Sequence, residues 1–193
     1  MLECLVLDRA CFGPLLERVA ARLSREVTHR KWQLEHLGQF ALADLRRGHT
    51  LGEGSYGLVA HALHRKTAKR FAVKAVPKSK VTTTLSVRQI VNERALMAAV
   101  SHPFLCKLAG SYQTATDLYF VLELIEGGEL FDKLEDEGGT FELPAALFYT
   151  ANTLSALSHL HRLNVVHRDI KTENLMVRAI PTPPQWLHLR LPS

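Results

Sequence analysis

Cysteine is scarce in this chain, with three residues in 193. Cys4, Cys11 and Cys106 form no close metal-ligand spacing. An odd count without a secretory start points to reduced thiols rather than a disulfide framework. Long apolar runs are lacking too, and none approaches the length of a membrane span. The opening MLECLVLDRACF is broken by Glu3, Asp8 and Arg9, which makes it a poor signal peptide. The expectation is a cytoplasmic protein without a membrane span. There are no internal repeats and no block of one charge sign. The net charge of +5 is scattered, as in HRKTAKR (His64 to Arg70) and KSK (Lys78 to Lys80). Short basic runs of this kind read as solvated turns, so nucleic acid is not an expected partner.

What is present suits one globular domain, or one domain with a fragment of another. The chain is 47% hydrophobic and 22% charged, and is long enough to bury a core. From Phe12 to about Trp32, apolar residues at Phe12, Leu15, Leu16, Val19, Leu23 and Val27 follow helical spacing. Near Leu51 the pattern changes. HTLGEGSYGLVAHALH and RFAVKAV predict a hairpin and a following strand. Leu85 to Val100 returns to helical spacing. CKLAGSYQTATDLYFVLELI predicts two strands split near Thr114 to Asp117, and EGGELFDKLEDEGG a turn with a short helix. From Leu143 to His161, a stripe of Leu147, Thr150, Leu154, Leu157 and Leu160 predicts a long helix. Strands first and helices later imply a two-lobed α+β protein.

LGEGSYGLV sets Gly52, Gly54 and Gly57 in a GxGxxG pattern, where glycine lets backbone amides approach a phosphate. Alone the pattern is weak, because dinucleotide loops share it and many glycine turns bind nothing. A dinucleotide loop opens a helix, whereas strand-like residues flank this one, with Val59 following closely. A Walker loop ends in GK[ST], which is absent. Downstream, Lys74 interrupts an apolar strand, a costly placement without an anionic partner. Behind a glycine loop it reads as a phosphate anchor. Glu93, within the next helical stretch, is the counter-charge expected to orient it.

HRDIKTENLMV then supplies Asp169, Lys171 and Asn174 at fixed offsets. An aspartate can orient a hydroxyl and accept its proton. A lysine two residues on can neutralise a transferred phosphoryl group, and an asparagine carbonyl can ligate magnesium. A surface loop could carry these three by chance, but glycine loop, lysine, glutamate and catalytic loop occur here in a required order.

Taken together these motifs resemble the eukaryotic serine/threonine protein kinases, over about Leu51 to Val177. The resemblance implies a protein-kinase-like α+β fold, with a β-rich N-lobe and the first part of a helical C-lobe. It implies ATP and Mg2+ as cofactors. Leu51, Gly52, Glu53, Gly54, Ser55, Tyr56, Gly57 and Val59 would cover the nucleotide, and Ala72 would line its pocket. Lys74 would hold phosphates, paired to Glu93. Leu122 would be the gatekeeper, Glu123 and Leu124 would offer backbone contacts to adenine, and Met176 would form the adenine floor. Asp169 and Lys171 would be catalytic and Asn174 a metal ligand. Lys171 favours serine and threonine over tyrosine as acceptor. KTEN stands where KPEN is commoner. NERALMAAVSHPFLCKL, GGELF and LFYTA resemble the AGC group. In that group Glu129 and Glu173 match positions that receive basic residues upstream of the target serine or threonine, so the expected partner is such a protein substrate.

The start, ECLVLDRACFGPLLE, resembles the end of the second cyclic-nucleotide-binding domain of cGMP-dependent kinases, and FALADLRRGHTLGEG their entry into the catalytic domain. An unrelated packing helix is the other reading. The resulting division is residues 1–45 for that segment and its linker helix, 46–178 for a partial catalytic domain and 179–193 for a divergent proline-rich tail. The family's DFG and APE segments do not follow Asn174. His188 to Leu191 is either the strand that leads into DFG, with Pro181 to Trp186 as a loop insertion and Ser193 near the missing aspartate, or part of an unrelated tail. The chain is therefore expected to be a catalytically impaired kinase. The rival reading is a non-catalytic ATP-binding or protein-interaction fragment.

Overall fold

A computed structural model describes residues 40–54, 57–179 and 186–191. The helix expected from Phe12 to Trp32, and with it the cyclic-nucleotide-domain-like segment, lies outside the described residues. Five strands come first in space: β1 (Leu45–Gly54), β2 (Gly57–His64), β3 (Arg70–Pro77), β4 (Leu108–Gln113) and β5 (Asp117–Glu123). They form one antiparallel sheet in the order β1-β2-β3-β5-β4. The alternation in RFAVKAV explains β3, since Phe71 and Val73 point to one face and Ala72 and Lys74 to the other. Phe71, Val73 and Val121 pack with Phe40, Leu45 and Ala62 into a small core of their own. The hairpins and the strand pair around Thr114 fall where the sequence predicts them.

Between β3 and β4 runs α1 (Thr84–Ala99). Thr83 caps it by accepting a hydrogen bond from the Ser86 amide, while the Ser86 hydroxyl reciprocates at the Thr83 amide. Its buried stripe is Ile90, Glu93 and Met97, at helical spacing. Putting a glutamate on that stripe is the step that builds the site. The short α2 (Leu130–Asp136) and the long α3 (Leu143–Arg162) follow. The helix α3 forms as expected, and its buried face includes only part of the leucine stripe. It buries Phe148, Tyr149, Ala151, Asn152, Ala156 and Leu160, whereas Leu154 stays 44% exposed. Small residues at positions 151 and 156 allow close approach, which a count of leucines cannot reveal.

Two short strands close the described chain, β6 (Leu175–Arg178) and β7 (Trp186–Leu189), paired antiparallel. The strand β7 overlaps the His188 to Leu191 stretch but begins at Trp186. Leu187, Leu189 and Leu191 are buried in the main core beside Phe104, Leu122, Leu130, Phe148 and Leu160. Burial of each such side chain is worth about 1.5–3 kcal/mol, so this segment is part of the fold. The same core contains Val76 and Ile90 from the sheet side, which joins the two halves of the chain. No helix among the described residues is long and apolar enough to cross a membrane.

Candidate active site

Strand register gathers the first half of the site. Val59 lies opposite Lys74, Lys74 opposite Phe120 and Ala72 opposite Leu122. With the two-residue period of a strand, Val59, Ala72, Lys74 and Leu122 share one face of the sheet. From the buried stripe of α1, Glu93 meets Lys74 at 3.0 Å, with the two side chains only 12% and 7% exposed. The Lys74 ammonium also lies 5.8 Å from the centroid of the Phe120 ring. A pair this far from water fixes the ammonium in place, because separating it would strand a buried charge.

The glycines of the loop serve two different purposes. A Cβ at Gly57 would lie 1.9 Å from the Ala75 carbonyl oxygen, so only glycine lets β2 pack there. A Cβ at Gly52 would meet nothing within 4 Å. Gly52 therefore borders open space, as a position next to a ligand does. Leu51 is 45% exposed beside it, and Glu53 lies opposite Leu58 in the hairpin. Gly54 pairs with Gly57, and Ser55 and Tyr56 between them lie outside the described residues.

The second half of the site is built on the loop between α3 and β6. Arg168 adopts a left-handed backbone, φ 69°, a conformation that non-glycine residues hold only where the surroundings enforce it. The enforcement comes from His167, which is 2% exposed. Its Nδ1 accepts from the Asp169 amide at 3.3 Å, so its Nε2 carries the proton and donates to the Arg190 carbonyl at 2.7 Å. The Asp169 carboxylate is thereby held at the surface. Asn174 Nδ2 donates to both the Asp169 carbonyl and Asp169 Oδ2 at 2.8 Å, and Lys171 Nζ lies 3.8 Å from the same Oδ2. Asp169, Lys171 and Asn174 are thus brought together as the sequence leads one to expect. With its amide nitrogen turned to Asp169, Asn174 keeps its carbonyl oxygen as a donor for a hard cation. That fits one ligand of magnesium.

Between the halves, the stretch after β5 runs alongside β6. Gly127 donates to the Val177 carbonyl at 2.7 Å, Val177 to the Gly128 carbonyl at 2.9 Å, and Glu129 bridges to Met176. A Cβ at Gly127 would sit 2.2 Å from the Val177 oxygen, so the approach needs glycine. The Glu123 amide donates to the Lys107 carbonyl at 2.9 Å, which commits that amide within the fold. Its carboxylate pairs with Arg178, whose Nε lies 3.0 Å from His188 Nε2. Leu124, next in the chain, is half-buried. His167, Arg178, His188, Arg190 and Gly127 were all missed by motif reasoning. Gly127 had a signal in the GG pair, whereas the others show their roles only once β6 and β7 are paired.

An oriented cation beside an open glycine loop and an exposed, held carboxylate can position a phosphate ester and a hydroxyl acceptor. Comparison with known proteins agrees with this reading. A family model described as the protein kinase domain matches residues 45–182, and the chain belongs to that family. It is 44% identical over 127 residues to the serine/threonine-protein kinase YPK1 of Saccharomyces cerevisiae, covering 66% of this chain and 18% of that protein. It is 45% identical over 128 residues to the serine/threonine-protein kinase Sgk1 of Danio rerio, covering 66% and 29%. The cAMP-dependent protein kinase catalytic subunit of Arthrobotrys oligospora is 39% identical over 140 residues, covering 72% and 27%. The likeness is to serine/threonine kinases of the AGC type. The chain spans less than a third of the length of each of these relatives.

Proposed function

We propose that the chain binds ATP and serves the transfer of its γ-phosphoryl group to serine or threonine in a protein carrying basic residues upstream of the acceptor. The observation that carries this reading is the buried Lys74–Glu93 pair on the sheet face shared with Val59, Ala72 and Leu122. Lys74 holds phosphates, Glu123 through its carbonyl and Leu124 through its backbone face the base, and Met176 lies beneath it. Asp169 accepts the hydroxyl proton, Lys171 neutralises charge beside it, and Asn174 gives magnesium one oxygen. The cation supplies neutralisation of the phosphates in this family. Glu129 and Glu173 receive the substrate's basic residues. Residues 1–45 resemble the end of a cyclic-nucleotide-binding domain ahead of a catalytic segment at 46–178, in a protein proposed to be a cyclic-nucleotide-dependent-like, cytoplasmic kinase.

A polypeptide of these 193 residues is proposed to bind ATP weakly and to transfer little phosphate. After Asn174 the sequence contains no Asp or Glu, and one neutral amide is a poor site for a cation that prefers carboxylates. This favours, for the chain by itself, an ATP-binding or interaction role. A fluorescent ATP analogue is expected to bind wild type about tenfold tighter than Lys74→Ala, since a charge-assisted contact is worth about 1.5–3 kcal/mol. Equal binding by both would remove Lys74 from the nucleotide site. In a γ-phosphate transfer assay on a basic peptide, wild type is expected to match Asp169→Ala. Robust turnover lost in that variant would show that another group completes the metal site.

A further inference from the structure

The hairpin of β6 and β7 delivers an arginine to the acidic patch assigned above to the substrate. Leu187, Leu189 and Leu191 are each no more than 2% exposed in the main core, whereas the Arg190 side chain is 34% exposed. Its backbone is pinned on both sides, with its amide donating to the Asn174 carbonyl at 2.8 Å and its carbonyl accepting from His167 Nε2 at 2.7 Å. From that fixed point one guanidinium nitrogen, Nη2, reaches Glu129 Oε1 at 2.9 Å, the Glu173 carbonyl at 2.9 Å and Met176 Sδ at 3.3 Å.

We propose that Arg190 is a specificity-determining residue that occupies Glu129 in place of a substrate's arginine, leaving the Glu173 carboxylate as the acid open to a peptide. The proposal rests on the reading of Glu129 and Glu173 as substrate-binding acids. Three features make Arg190 a displaceable occupant. It meets Glu129 through a single nitrogen, whereas an incoming arginine can present the two-pronged contact that a carboxylate prefers. Its Nε is buried without a hydrogen-bond partner, so the arrangement leaves one donor unsatisfied. The pair is also about one-third exposed, at 34% and 36%, where an ion pair gains little over solvent. Glu173 differs, because its carboxylate accepts only locally, from the Thr172 hydroxyl at 3.1 Å, among the contacts described. A peptide with one upstream arginine therefore meets Glu173 first, and a second arginine must compete with Arg190.

Fluorescence anisotropy with a labelled peptide carrying two arginines upstream of a serine tests this on the full 193-residue chain, beside the same peptide with both arginines replaced by alanine. Arg190→Gln is expected to bind the basic peptide about tenfold tighter than wild type, and Arg190→Gln with Glu129→Gln to lose that gain. Arg190→Lys, which keeps a cation on a shorter side chain without the shared Nη2 contacts, is expected to gain about threefold and decides the matter if circular dichroism shows the glutamine variant unfolded. Unchanged or weaker binding in the folded Arg190 variants, with Glu173→Gln still weakening the peptide, overturns the role of Arg190 alone. If the basic and alanine peptides bind alike in every variant, the two acids are not substrate sites, and both readings fall.

Discussion

Two lysine–carboxylate pairs with the same chemistry sit in opposite surroundings here. Lys74 and Glu93 meet at 3.0 Å with side chains 12% and 7% exposed. Lys171 and Asp169 lie 3.8 Å apart with side chains 48% and 52% exposed. The first pair is held by a sheet and a helix stripe, so its geometry exists before any ligand arrives. The second is held by a loop, through Asn174 and His167, and its carboxylate remains open to a hydroxyl. A phosphate anchor profits from being fixed, since preorganised charge needs no rearrangement when substrate binds. A proton acceptor must be reachable, and burial would close it off. On the proposed roles the contrast separates positioning from reaction, and it implies that the two pairs contribute very differently to stability.

The largest effect should follow from breaking the buried pair. Glu93→Ala leaves Lys74 buried without its carboxylate and is expected to cost about 3 kcal/mol, at the low end for a buried pair that loses one partner. Urea unfolding followed by circular dichroism measures this. A loss no greater than that of Asp169→Ala would mean that burial does not distinguish the two pairs.

Next in size is the backbone that supports the buried pair. Gly57→Ala sets a methyl 1.9 Å from the Ala75 oxygen, one residue along from Lys74. Backbone must move, at an expected cost of about 2 kcal/mol. Gly52→Ala meets nothing within 4 Å and is expected to leave stability within about 1 kcal/mol, the ordinary penalty for glycine replacement in either sense. The two variants compared by thermal melting separate a packing glycine from one that borders open space. Similar melting shifts would mean that both glycines serve packing.

Much of this was legible in the sequence, and the reasons differ by element. The strands and α1 announce themselves through periodicity, and the order of glycine loop, Lys74, Glu93 and Asp169 is a pattern of chemistry that chance does not assemble. The leucine spacing of α3 located the helix but not its buried face, which takes in Ala151 and Ala156 as well as Leu160 while Leu154 faces outward. His167 sits within the HRD motif, yet its task was invisible. Its partner is the Arg190 carbonyl, 23 residues away, and only strand pairing brings that group within reach. The links of Arg178 to Glu123 and of Arg190 to Glu129 likewise join groups 55 and 61 residues apart. Long-range pairing of charges leaves no local mark in a sequence.

The exposed side of the contrast predicts a small number. Asp169→Ala removes a half-exposed carboxylate that Asn174 and Lys171 approach from solvent-facing positions. Exposed pairs contribute about 0–1 kcal/mol, so its unfolding midpoint should stay close to that of wild type. A loss above about 2 kcal/mol would show that the loop depends on this carboxylate for its fold, and the separation between positioning and reaction would not hold.

The smallest effect tests the same contrast with a charge that pH can switch on. His159 lies half-buried on α3, its ring stacked on His102 at 5.0 Å and its Nε2 buried without a hydrogen-bond partner. Burial, and then the nearby Arg162, lower its pKa below the ordinary value of 6.5. The folded chain therefore resists a proton that the unfolded chain accepts. As pH falls below about 6.5, the unfolded state binds that proton first, and linkage makes stability decline until the folded imidazole titrates in turn. Above that range both states are neutral here, and the contribution is fully present. Urea unfolding of wild type and His159→Asn at pH 7.5 and pH 5.5 isolates this group from the other histidines. The variant is expected to lose less stability than wild type between the two pH values. An equal loss would mean that water reaches His159 as freely as it reaches Asp169.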